Sequence, residues 1–444
     1  MATTQQTQDR TRDVGTGAPE TGTQMYQLMG ELYPICRSIT GDGLRESLRI
    51  IQKHIPLELH EVASGTPVFD WNVPKEWNVR DAYVKGPNGE KIIDFKRSSL
   101  HVVNYSIPVR AKMSLAQLKE HLHSMPDHPD WVPYRTSYYK ETWGFCLTHR
   151  QLESLKEGEY EAVIDSSLED GHMTYGEMHL KGATEDEVLV SSHSCHPSLS
   201  NDNLSGMVTV AFLAKSLLSR KLRHSYRFIF APGTIGAITW LARNESKTSR
   251  IKHGLVAACL GDRGKFHYKK SRRGNAEIDA AVAHALKHSG EDFVVSDFTP
   301  YDYDERQYCS PGFNLPVGSL TRTPHDCYQE NHTSADNMDF VTPTALEGSF
   351  QVYSSVMAIL EQNKKYINLN PKCEPRLGKR GLYGAVGGKR DANTYELSLQ
   401  WTLNYSDGEH SLLDIANKSG FRFEIIADAA QRLLEHNLLV EAGA

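Results

Sequence analysis

Hydrophobic residues recur along this chain in two spacings, one typical of helices and one typical of strands. Between residues 24 and 56 they fall three and four positions apart, which predicts two helices separated at Gly41 and Gly43. From residue 67 to residue 141 short strand-like runs take over, accompanied by Trp71, Trp77 and Trp131 and by an Asn-Gly turn at 88–89. We interpret this stretch as a small β-rich inserted domain that contains one helix at 115–123.

The middle of the chain alternates apolar runs of strand length with segments of helix length. The runs lie at 187–193, 226–232, 254–262 and 315–320, and the helical segments lie at 204–218, 235–243, 278–288 and 346–360. Strands this apolar are typical of a sheet whose two faces are both covered by helices. The pattern therefore predicts an α/β fold with a mostly parallel sheet flanked by helices.

The two ends of the chain complete the predicted domain organisation. Residues 1–23 are expected to form a disordered tail, residues 24–66 and 142–376 the core, and residues 67–141 the inserted domain. A linker rich in glycine, lysine and arginine at 377–390 leads to residues 391–444. Helices predicted there at 397–403, 411–418 and 423–436 indicate a winged-helix-like domain.

The last of these helices would be the DNA-reading helix of a winged-helix domain. It carries Glu424, Asp428 and Glu435 against Arg422 and Arg432, which makes a poor surface for phosphate contacts. We therefore expect no nucleic-acid partner. We interpret the domain as a packing or dimerisation module, and expect a homo-oligomer or an assembly with a paralogous chain.

The composition narrows the class of protein further. The 444 residues are 39% hydrophobic and 23% charged with a formal net charge of -6, so the chain can bury a core and has no positive field for nucleic acid or an anionic membrane. No apolar run is long enough to span a bilayer, and the first residues lack the apolar segment of a secretory signal. The seven irregularly spaced cysteines are typical of a reducing compartment. We expect a cytoplasmic protein without a membrane partner.

Polar side chains of metal-ligand type follow three of the predicted strands. Because the carboxyl ends of parallel strands meet at one edge of a sheet, these side chains are expected to lie close together. Imidazoles and carboxylates in one place suit zinc, whereas each residue alone could equally be a turn or helix-capping residue. They are His193, Cys195, His196 and Asp202 after the first strand, Asp262 after the third, and Glu330, His332 and Asp336 after the fourth.

Cys195 admits three different roles at this predicted edge. It could be a thiolate ligand of the same metal, or a nucleophile with His193 or His196 as its base. It could also be a small buried residue that packs against its neighbours, which is the commoner role of a free cysteine.

Six blocks of sequence make the chain recognisable. They lie at residues 69–84, 133–147, 195–206, 271–275, 304–324 and 330–337, and include the strings CHPSLSNDNLSG and ENHTSADN. Through them the chain resembles a bacterial family of aminopeptidase-like proteins, within the superfamily of zinc aminopeptidases and glutaminyl cyclases (metallopeptidase family twenty-eight). The resemblance implies an aminopeptidase-like core, a β-rich insertion and a C-terminal winged helix. Members often accompany surface-polysaccharide or secondary-metabolite pathways.

The resemblance also implies which residues hold metal. The first strand-end histidine of the superfamily corresponds to His193 or His196, and the carboxylate that bridges two metals corresponds to Asp202. Asp262 corresponds to a ligand of the first metal, and His332 to a ligand of the second. The expected cofactor is therefore zinc, as one ion or as a pair.

The chain departs from the family pattern after its second predicted strand. There the superfamily has two adjacent glutamates, a general base and a metal ligand, whereas this sequence reads PGTIGAI with Gly233 and Thr234 at those positions. Loss of a positioned general base typically costs about 10²–10⁴-fold in rate. The departure favours a single zinc over a pair, and it argues against ordinary hydrolysis by a water molecule.

Two functions are consistent with a chain that has the expected metal ligands but lacks the two glutamates after the second strand. The first is a zinc-dependent amidohydrolase or aminopeptidase that removes an acyl or aminoacyl group from a small metabolite or peptide. The second is a non-hydrolytic ligand-binding protein, or the inactive partner of an active paralogue, and Gly233 is the residue that favours it.

In the hydrolytic interpretation the proton acceptor must come from elsewhere in the chain or from the substrate. Glu305 and Glu330 are the expected catalytic carboxylates, and a carboxylate of the substrate is the third candidate. Four further residues are expected to line the substrate pocket or to bind an anionic group of the substrate: Asp304, Arg306, Tyr308 and Arg272.

Overall fold

The computed structural model describes residues 20–383 and 394–443. Residues 1–19 of the expected tail and 384–390 of the expected linker lie outside this part of the chain, and residues 20–23 belong to the first helix. The described helices are α1 (Glu20–Leu32), α2 (Asp42–Gln52), α3 (Leu115–Lys119), α4 (His149–Glu153), α5 (Gly206–Leu217), α6 (Ile235–Asn244), α7 (Glu277–Lys287), α8 (Glu305–Tyr308), α9 (Pro343–Gln362), α10 (Thr394–Tyr405), α11 (Leu412–Ser419) and α12 (Phe423–Glu435).

The strands alternate with these helices through the middle of the chain, as the spacing of apolar runs predicts. They are β1 (Glu58–Ala63), β2 (Pro67–Val68), β3 (Trp71–Asn72), β4 (Glu76–Lys85), β5 (Lys91–Asp94), β6 (Val109–Ser114), β7 (Leu122–His123), β8 (Phe145–Cys146), β9 (Glu159–Glu169), β10 (His172–Leu180), β11 (Glu187–His193), β12 (Ser225–Ala231), β13 (Ile251–Ala257), β14 (Phe266–Lys269), β15 (Phe293–Ser296), β16 (Val317–Thr321), β17 (Lys365–Asn368), β18 (Asp407–Ser411) and β19 (Leu439–Glu441).

The largest sheet has the order β1-β10-β12-β11-β13-β16-β14-β15 in the described part of the chain. Its centre, β12-β11-β13-β16, is parallel, as predicted. Its edges add antiparallel pairs, β1 with β10, β10 with β12, and β14 with β16. Every residue of β11 is buried, because helices or other layers cover both faces of the central strands. The fold is therefore α/β, with a mixed sheet whose centre is parallel.

Two hydrophobic clusters lie on opposite faces of this sheet. Val188 and Val190 of β11 point into the cluster formed with α1, α5, α7 and α9, whereas Leu189 points into the cluster formed with α6 and the inserted domain. This alternation follows from the pleat of a strand, which sends successive side chains to opposite faces. The inserted domain is thus part of the second face of the core.

The inserted domain has its own antiparallel sheet, in the order β5-β4-β9-β6. Its longest pairing joins β4 to β9, so a strand beyond residue 141 completes this sheet. Asp170 and Gly171 then connect β9 to β10, and the chain passes into the large sheet. The helix predicted at 115–123 begins at a capping box of Ser114 and Gln117 and ends at Lys119.

The C-terminal module is a three-stranded sheet, β18-β17-β19, packed with α10, α11 and α12. It therefore begins at β17, before the linker that the sequence indicated. On the core side His284 of α7 is shared with the module: its Nε2 accepts a hydrogen bond from the Phe423 backbone N–H (3.0 Å), and its Nδ1 lies 2.7 Å from Asn417 Oδ1. Arg422 also donates to the carbonyl oxygen of His288. Among the described residues no helix has the length and apolar character needed to cross a membrane.

Candidate metal centre and adjoining cavity

Three segments meet at the carboxyl edge of the parallel strands and bring ligand-type side chains together. His193 is the last residue of β11, and the chain then turns through Cys195 and His196. Asp202 lies in the irregular turn Ser200–Ser205 that leads into α5, and His332 lies in the loop after β16. The structure thus brings together four of the five metal ligands expected from the sequence.

The distances within this cluster are short. His193 Nε2 lies 3.0 Å from Asp202 Oδ1, and His332 Nε2 lies 3.1 Å from Asp202 Oδ2. His196 Nδ1 lies 3.2 Å from His193 Nδ1 and 3.8 Å from Cys195 Sγ. In the described part of the chain the ligand atoms form two overlapping groups within 4.8 Å: His193–Cys195–His196 and His196–Asp202–His332.

The cluster is partly buried, and its charges shift the pKa values of three of its members. Burial would lower the pKa of His193, but contacts with Asp202 and Cys195 outweigh it and raise this pKa to about 10. Burial would raise the pKa of Asp202, but the charge of His196 and contacts with His193 and His332 hold it well below its usual value. Burial would likewise raise the pKa of Cys195, and the two neighbouring histidines instead lower it to about 5.

The donor set fits a zinc ion. Imidazole, carboxylate and thiolate are its usual ligands in proteins. Nε2 of His193 and Oδ1 of Asp202 are buried, face each other, and make no hydrogen bond of good geometry with any described residue. A cation bound in this cluster would balance the charge of the Asp202 carboxylate and would displace the protons that the ligand imidazoles otherwise carry.

The backbone around Asp202 is held by a second buried carboxylate. Asp336 accepts hydrogen bonds from the backbone N–H groups of Asn201 (2.6 Å) and Asp202 (3.0 Å). Asn331 holds the side chain of Asp202, since its amide donates to Asp202 Oδ2 over 3.3 Å. The loop that carries His332 therefore also fixes the position of Asp202.

The inserted domain holds the His332 loop in place. The Tyr134 backbone N–H donates to the carbonyl oxygen of His332 (2.7 Å), and the Val132 N–H donates to Ser334 Oγ (3.0 Å). His332 itself has a positive φ of 54°, a left-handed conformation that needs such support in a residue with a Cβ. The Tyr134 ring also packs edge-on against His196 and His332, with centroid distances of 5.2 Å and 5.3 Å.

Asp262 lies outside both groups of ligand atoms. Its oxygens accept hydrogen bonds from Thr323 Oγ1 (2.7 Å), the Gly264 N–H (2.6 Å) and Asn201 Nδ2 (3.0 Å). These contacts join the loop after β13 to the loop after β16. In this structure the carboxylate anchors two loops instead of pointing at the histidine cluster.

Gly233 leaves a gap beside the cluster, and a buried carboxylate lies across that gap. A Cβ at position 233 would be 3.1 Å from His193 Cβ and 3.6 Å from Asp304 Oδ1. Asp304 is 2% exposed, and neither of its carboxylate oxygens has a hydrogen-bond partner among the described residues. Burial raises the pKa of Asp304 to about 7, although the charges of His193 and Arg306 act in the opposite direction. A buried carboxylate with no partner is costly, so it needs a functional explanation.

Other residues expected at the site have structural contacts of their own. Glu305 is buried against Lys269, with Oε1 2.7 Å from Nζ. The hydroxyl of Tyr308 lies 3.0 Å from Ser191 Oγ in the core. Arg272 is exposed and donates to Asn314 Oδ1 over 3.1 Å. Glu330 is half-buried in the His332 loop and, like Glu305, belongs to neither group of ligand atoms.

Arg306 lines a cavity of about 240 Å³ that adjoins the cluster at Gly233. Trp71, Tyr138 and Tyr139 of the inserted segment form one part of its wall, and the beginning of α6 forms another. The cavity and the metal cluster thus share residue 233 as a boundary.

The fold and the site together define a class of protein. The structure superposes on a zinc aminopeptidase from Bacillus subtilis with a TM-score of 0.56 at 12% identity, covering 79% of this chain and 96% of that one. It superposes on an M28 peptidase precursor from Shewanella amazonensis with a TM-score of 0.55 at 13% identity, covering 78% and 96%. The chain therefore has the aminopeptidase fold, as the resemblance in its sequence blocks implied.

A family model and relatives of higher sequence identity show to which family the chain belongs. Residues 26–363 match the family model of a domain of unknown function, DUF4910, and residues 364–441 match a winged helix-turn-helix. The chain belongs to this DUF4910 family. It is 54% identical over 422 residues, 95% of this chain and 96% of the relative, to a Clostridium acetobutylicum protein named for polysaccharide biosynthesis and an aminopeptidase-like domain. A crystal structure of a peptidase-like protein from Clostridium acetobutylicum superposes with a TM-score of 0.91 at 52% identity, covering 95% and 97%.

Several residues that support the cluster could not be identified from the sequence. Tyr134 and Arg37 come from distant parts of the chain, and Arg37 Nε donates to the carbonyl oxygen of His196 over 2.9 Å. Neither has metal-ligand chemistry, so no local pattern marks it. Asp336 did stand out as a strand-end carboxylate, but only the structure shows that it accepts backbone N–H groups.

Proposed function

We propose that this protein is a zinc-dependent amide hydrolase that removes an acyl or aminoacyl group from a small metabolite or peptide. The observation that supports this function best is the partly buried cluster of His193, His196, Asp202 and His332, at the carboxyl edge of the central strands of an aminopeptidase fold. The zinc aminopeptidase named above has the same fold, which makes hydrolysis of an amide the first activity to test.

One zinc ion is proposed, held by His196, Asp202 and His332. These three ligand atoms lie within 4.8 Å of one another, and three protein ligands leave a fourth position open, as in catalytic zinc sites. Bound zinc lowers the pKa of water and polarises a carbonyl group. His193 is then the residue that orients Asp202 through its second carboxylate oxygen.

Asp304 is proposed as the proton acceptor that stands in for the missing glutamate. It faces the gap at Gly233, its two oxygens have no other partner in the described structure, and its raised pKa suits a general base near neutral pH. Glu305 and Glu330 are weaker candidates, because Glu305 is paired with Lys269 and Glu330 is only half-buried in the His332 loop. Asp304 would take a proton from the attacking water and return it to the departing amine nitrogen as the carbon–nitrogen bond breaks.

The test is zinc analysis of the purified chain together with a screen of N-acyl and aminoacyl amides. We expect about one zinc per chain, turnover of at least one amide class, and loss of that turnover when a chelator removes the metal. A chain that takes up no zinc from a zinc-containing buffer would contradict the proposal.

A second function is favoured by Gly233 alone: a ligand-binding or partner protein on the same fold without hydrolysis. Zinc binding with no turnover of any amide, in the native chain and in a Gly233→Glu variant, would support this second function. Turnover that depends on Asp304 would exclude it.

A further inference from the structure

Arg306 is a partly buried arginine without an ion pair in the described part of the chain. Its Nε is buried without a hydrogen-bond partner, and no carboxylate of the described residues lies within ion-pair distance of its guanidinium. Arg227, by contrast, pairs with Glu177 and Glu187, and Arg322 donates to Glu291, Ser349 and a backbone carbonyl. A donor left unpaired in this way costs free energy unless a ligand pairs with it.

Arg306 lines the cavity beside Gly233, and apart from Gly233 and Thr234 the other lining residues are apolar or aromatic. Ile39, Ile235 and Ile238 supply the apolar part. A small apolar cavity with one charged group is the usual form of a site that recognises a small ligand, the charge fixing its orientation.

Two aromatic rings lie exposed at this cavity. Trp71 is 48% exposed and Tyr139 is 58% exposed, and their ring centroids are 5.4 Å apart. Both belong to the inserted segment, whereas Gly233 and Arg306 belong to the core. Large aromatic faces left in water at the wall of a cavity offer a stacking surface for a flat ring or an apolar chain.

The absence of a carboxylate at position 233 sets the charge of this cavity. A glutamate here would add a negative charge at the boundary with the metal cluster, and an anionic ligand would be repelled by it. Glycine avoids that added charge, so Arg306 is the charged residue among those that line the cavity, and the Asp304 carboxylate lies behind Gly233. Guanidinium binds carboxylate through two parallel hydrogen bonds, which makes a carboxylate the best-fitting anion.

We propose that the cavity beside Gly233 binds a carboxylate-bearing group of the substrate, with the carboxylate on Arg306 and the flat or apolar body against Trp71 and Tyr139. This inference rests on the proposed function only for the statement that the bound molecule is an amide to be cleaved. The substrate class is then an acidic amide, whose scissile bond reaches the cluster at His193 across residue 233. Binding of the carboxylate needs neither zinc nor turnover.

The experiment compares three probes of one ring and similar size, benzoate, benzamide and benzylamine, binding to the full chain. Tryptophan fluorescence and calorimetry are recorded with zinc and after chelation, so that a carboxylate bound to the metal is separated from one bound to Arg306. We expect benzoate to bind the zinc-free chain at least about tenfold more tightly than benzamide, equivalent to about 1.4 kcal/mol, and benzylamine to bind most weakly.

Three variants and one control test whether Arg306 and Trp71 cause the expected binding of benzoate. Arg306→Gln should abolish the preference for benzoate over benzamide, and Arg306→Lys, which keeps the charge without the two-pronged geometry, should reduce it. Trp71→Ala should weaken benzoate and benzamide alike. Arg80→Gln is the matched control, because Arg80 is exposed on the inserted sheet and pairs with Asp165, and it should change nothing.

Equal binding of benzoate and benzamide, binding of neither, or a preference that survives Arg306→Gln would overturn the inference. These results are independent of hydrolysis. If no amide is cleaved but the preference depends on Arg306, the proposed hydrolysis fails and the cavity assignment holds. If amides are cleaved without any preference for acidic ones, the cavity assignment fails and the proposed hydrolysis holds.

Discussion

Asp202 contacts an imidazole with each of its two carboxylate oxygens, whereas Asp262 accepts only from loop donors. We therefore expect Asp202→Ala to abolish zinc binding and Asp262→Ala to retain it. Zinc content by elemental analysis and zinc affinity by calorimetry measure the difference. Circular dichroism establishes that both variants are folded, and loss of zinc in both variants would return Asp262 to the ligand set.

Asp304 and Gly233 can be tested together, because they face each other across the gap. On whichever amide the native chain cleaves, Asp304→Asn should lower kcat by about 10²–10⁴-fold while zinc stays bound. Gly233→Glu placed in that background should recover part of the loss, and Gly233→Gln, of similar size but without a base, should recover none. An Asp304→Asn variant with native kcat would exclude Asp304 as the base.

Asp304 should also shape the pH dependence of folding. Its pKa in the folded chain is raised to about 7 from the ordinary 3.8, so the protein loses stability as pH rises between these values and the carboxylate ionises without a partner. In zinc-free protein we expect Asp304→Asn to raise the melting temperature, by a margin that grows from pH 4 to pH 8. Asp297→Asn, at an exposed position, is the control and should change the melting temperature little.

Residue chemistry alone could identify the candidate metal ligands, but it could not show which of them lie together in the cluster. His193, Asp202 and Asp262 all follow buried strands, and each has a side chain that binds zinc in other proteins. What separates Asp262 is the position of Thr323 and Asn201, which lie far from it in the chain and near it in space. Such contacts depend on how loops pack, and no local pattern in the sequence encodes them.

At the level of elements, the end of α12 that would read DNA in a winged-helix domain is packed against the core. The beginning of a recognition helix normally contacts base edges. Here the first residue of α12, Phe423, donates its backbone N–H to His284 of the core, and Arg422 donates to the His288 carbonyl oxygen. The start of the helix is therefore packed against α7.

We accordingly expect no DNA binding of useful affinity. A gel-shift assay at low salt, with mixed-sequence duplex DNA and the full chain, should show none at micromolar protein. Sub-micromolar binding with a steep salt dependence would show that phosphate contacts form in spite of the acidic residues on α12.

The elements also show where the periodicity of apolar residues is informative. The central strands β11, β12, β13 and β16 were predictable, because residues buried on both faces give continuous apolar runs. The antiparallel edges were not, since β1 is largely exposed, β14 has four residues, and β10 buries polar residues such as Thr174 and Glu177 that interrupt its apolar pattern. The pairing of β9 with β4 was also hidden, because it joins residues that a boundary at 141 would separate.

At the scale of the whole molecule, the site depends on three parts of the chain. The core supplies the ligands, the inserted segment holds the His332 loop and supplies the aromatic wall, and one hydrophobic cluster continues from the core into the C-terminal module. Assembly into a homo-oligomer, or with a paralogue, stays a prediction, which size-exclusion chromatography with light scattering can test.

His284 lies between the core and the C-terminal module and contacts both, so we expect the junction between them to be sensitive to acid. Because Nε2 of His284 accepts a hydrogen bond, its proton must be on Nδ1, which faces Asn417. A second proton would turn that acceptor into a donor facing the Phe423 N–H. Burial lowers the pKa of His284 and Lys287 adds to this, while Asn417 and Glu424 counteract it.

His284 has a lower pKa in the folded chain than in the unfolded chain. Its contribution to the stability of the folded state is therefore complete above the ordinary pKa of 6.5, and it is lost as the pH falls through the pKa of the folded state. We expect acidification from pH 6.5 downward to speed hydrogen exchange in α11 and α12 before it does so in the parallel strands. His284→Gln keeps an acceptor without a titrating proton and should flatten this response. Uniform acceleration of exchange across the chain would show that the junction does not open by itself. If exchange instead rises first in α11 and α12, the C-terminal module is the part of the molecule that loosens first on acidification.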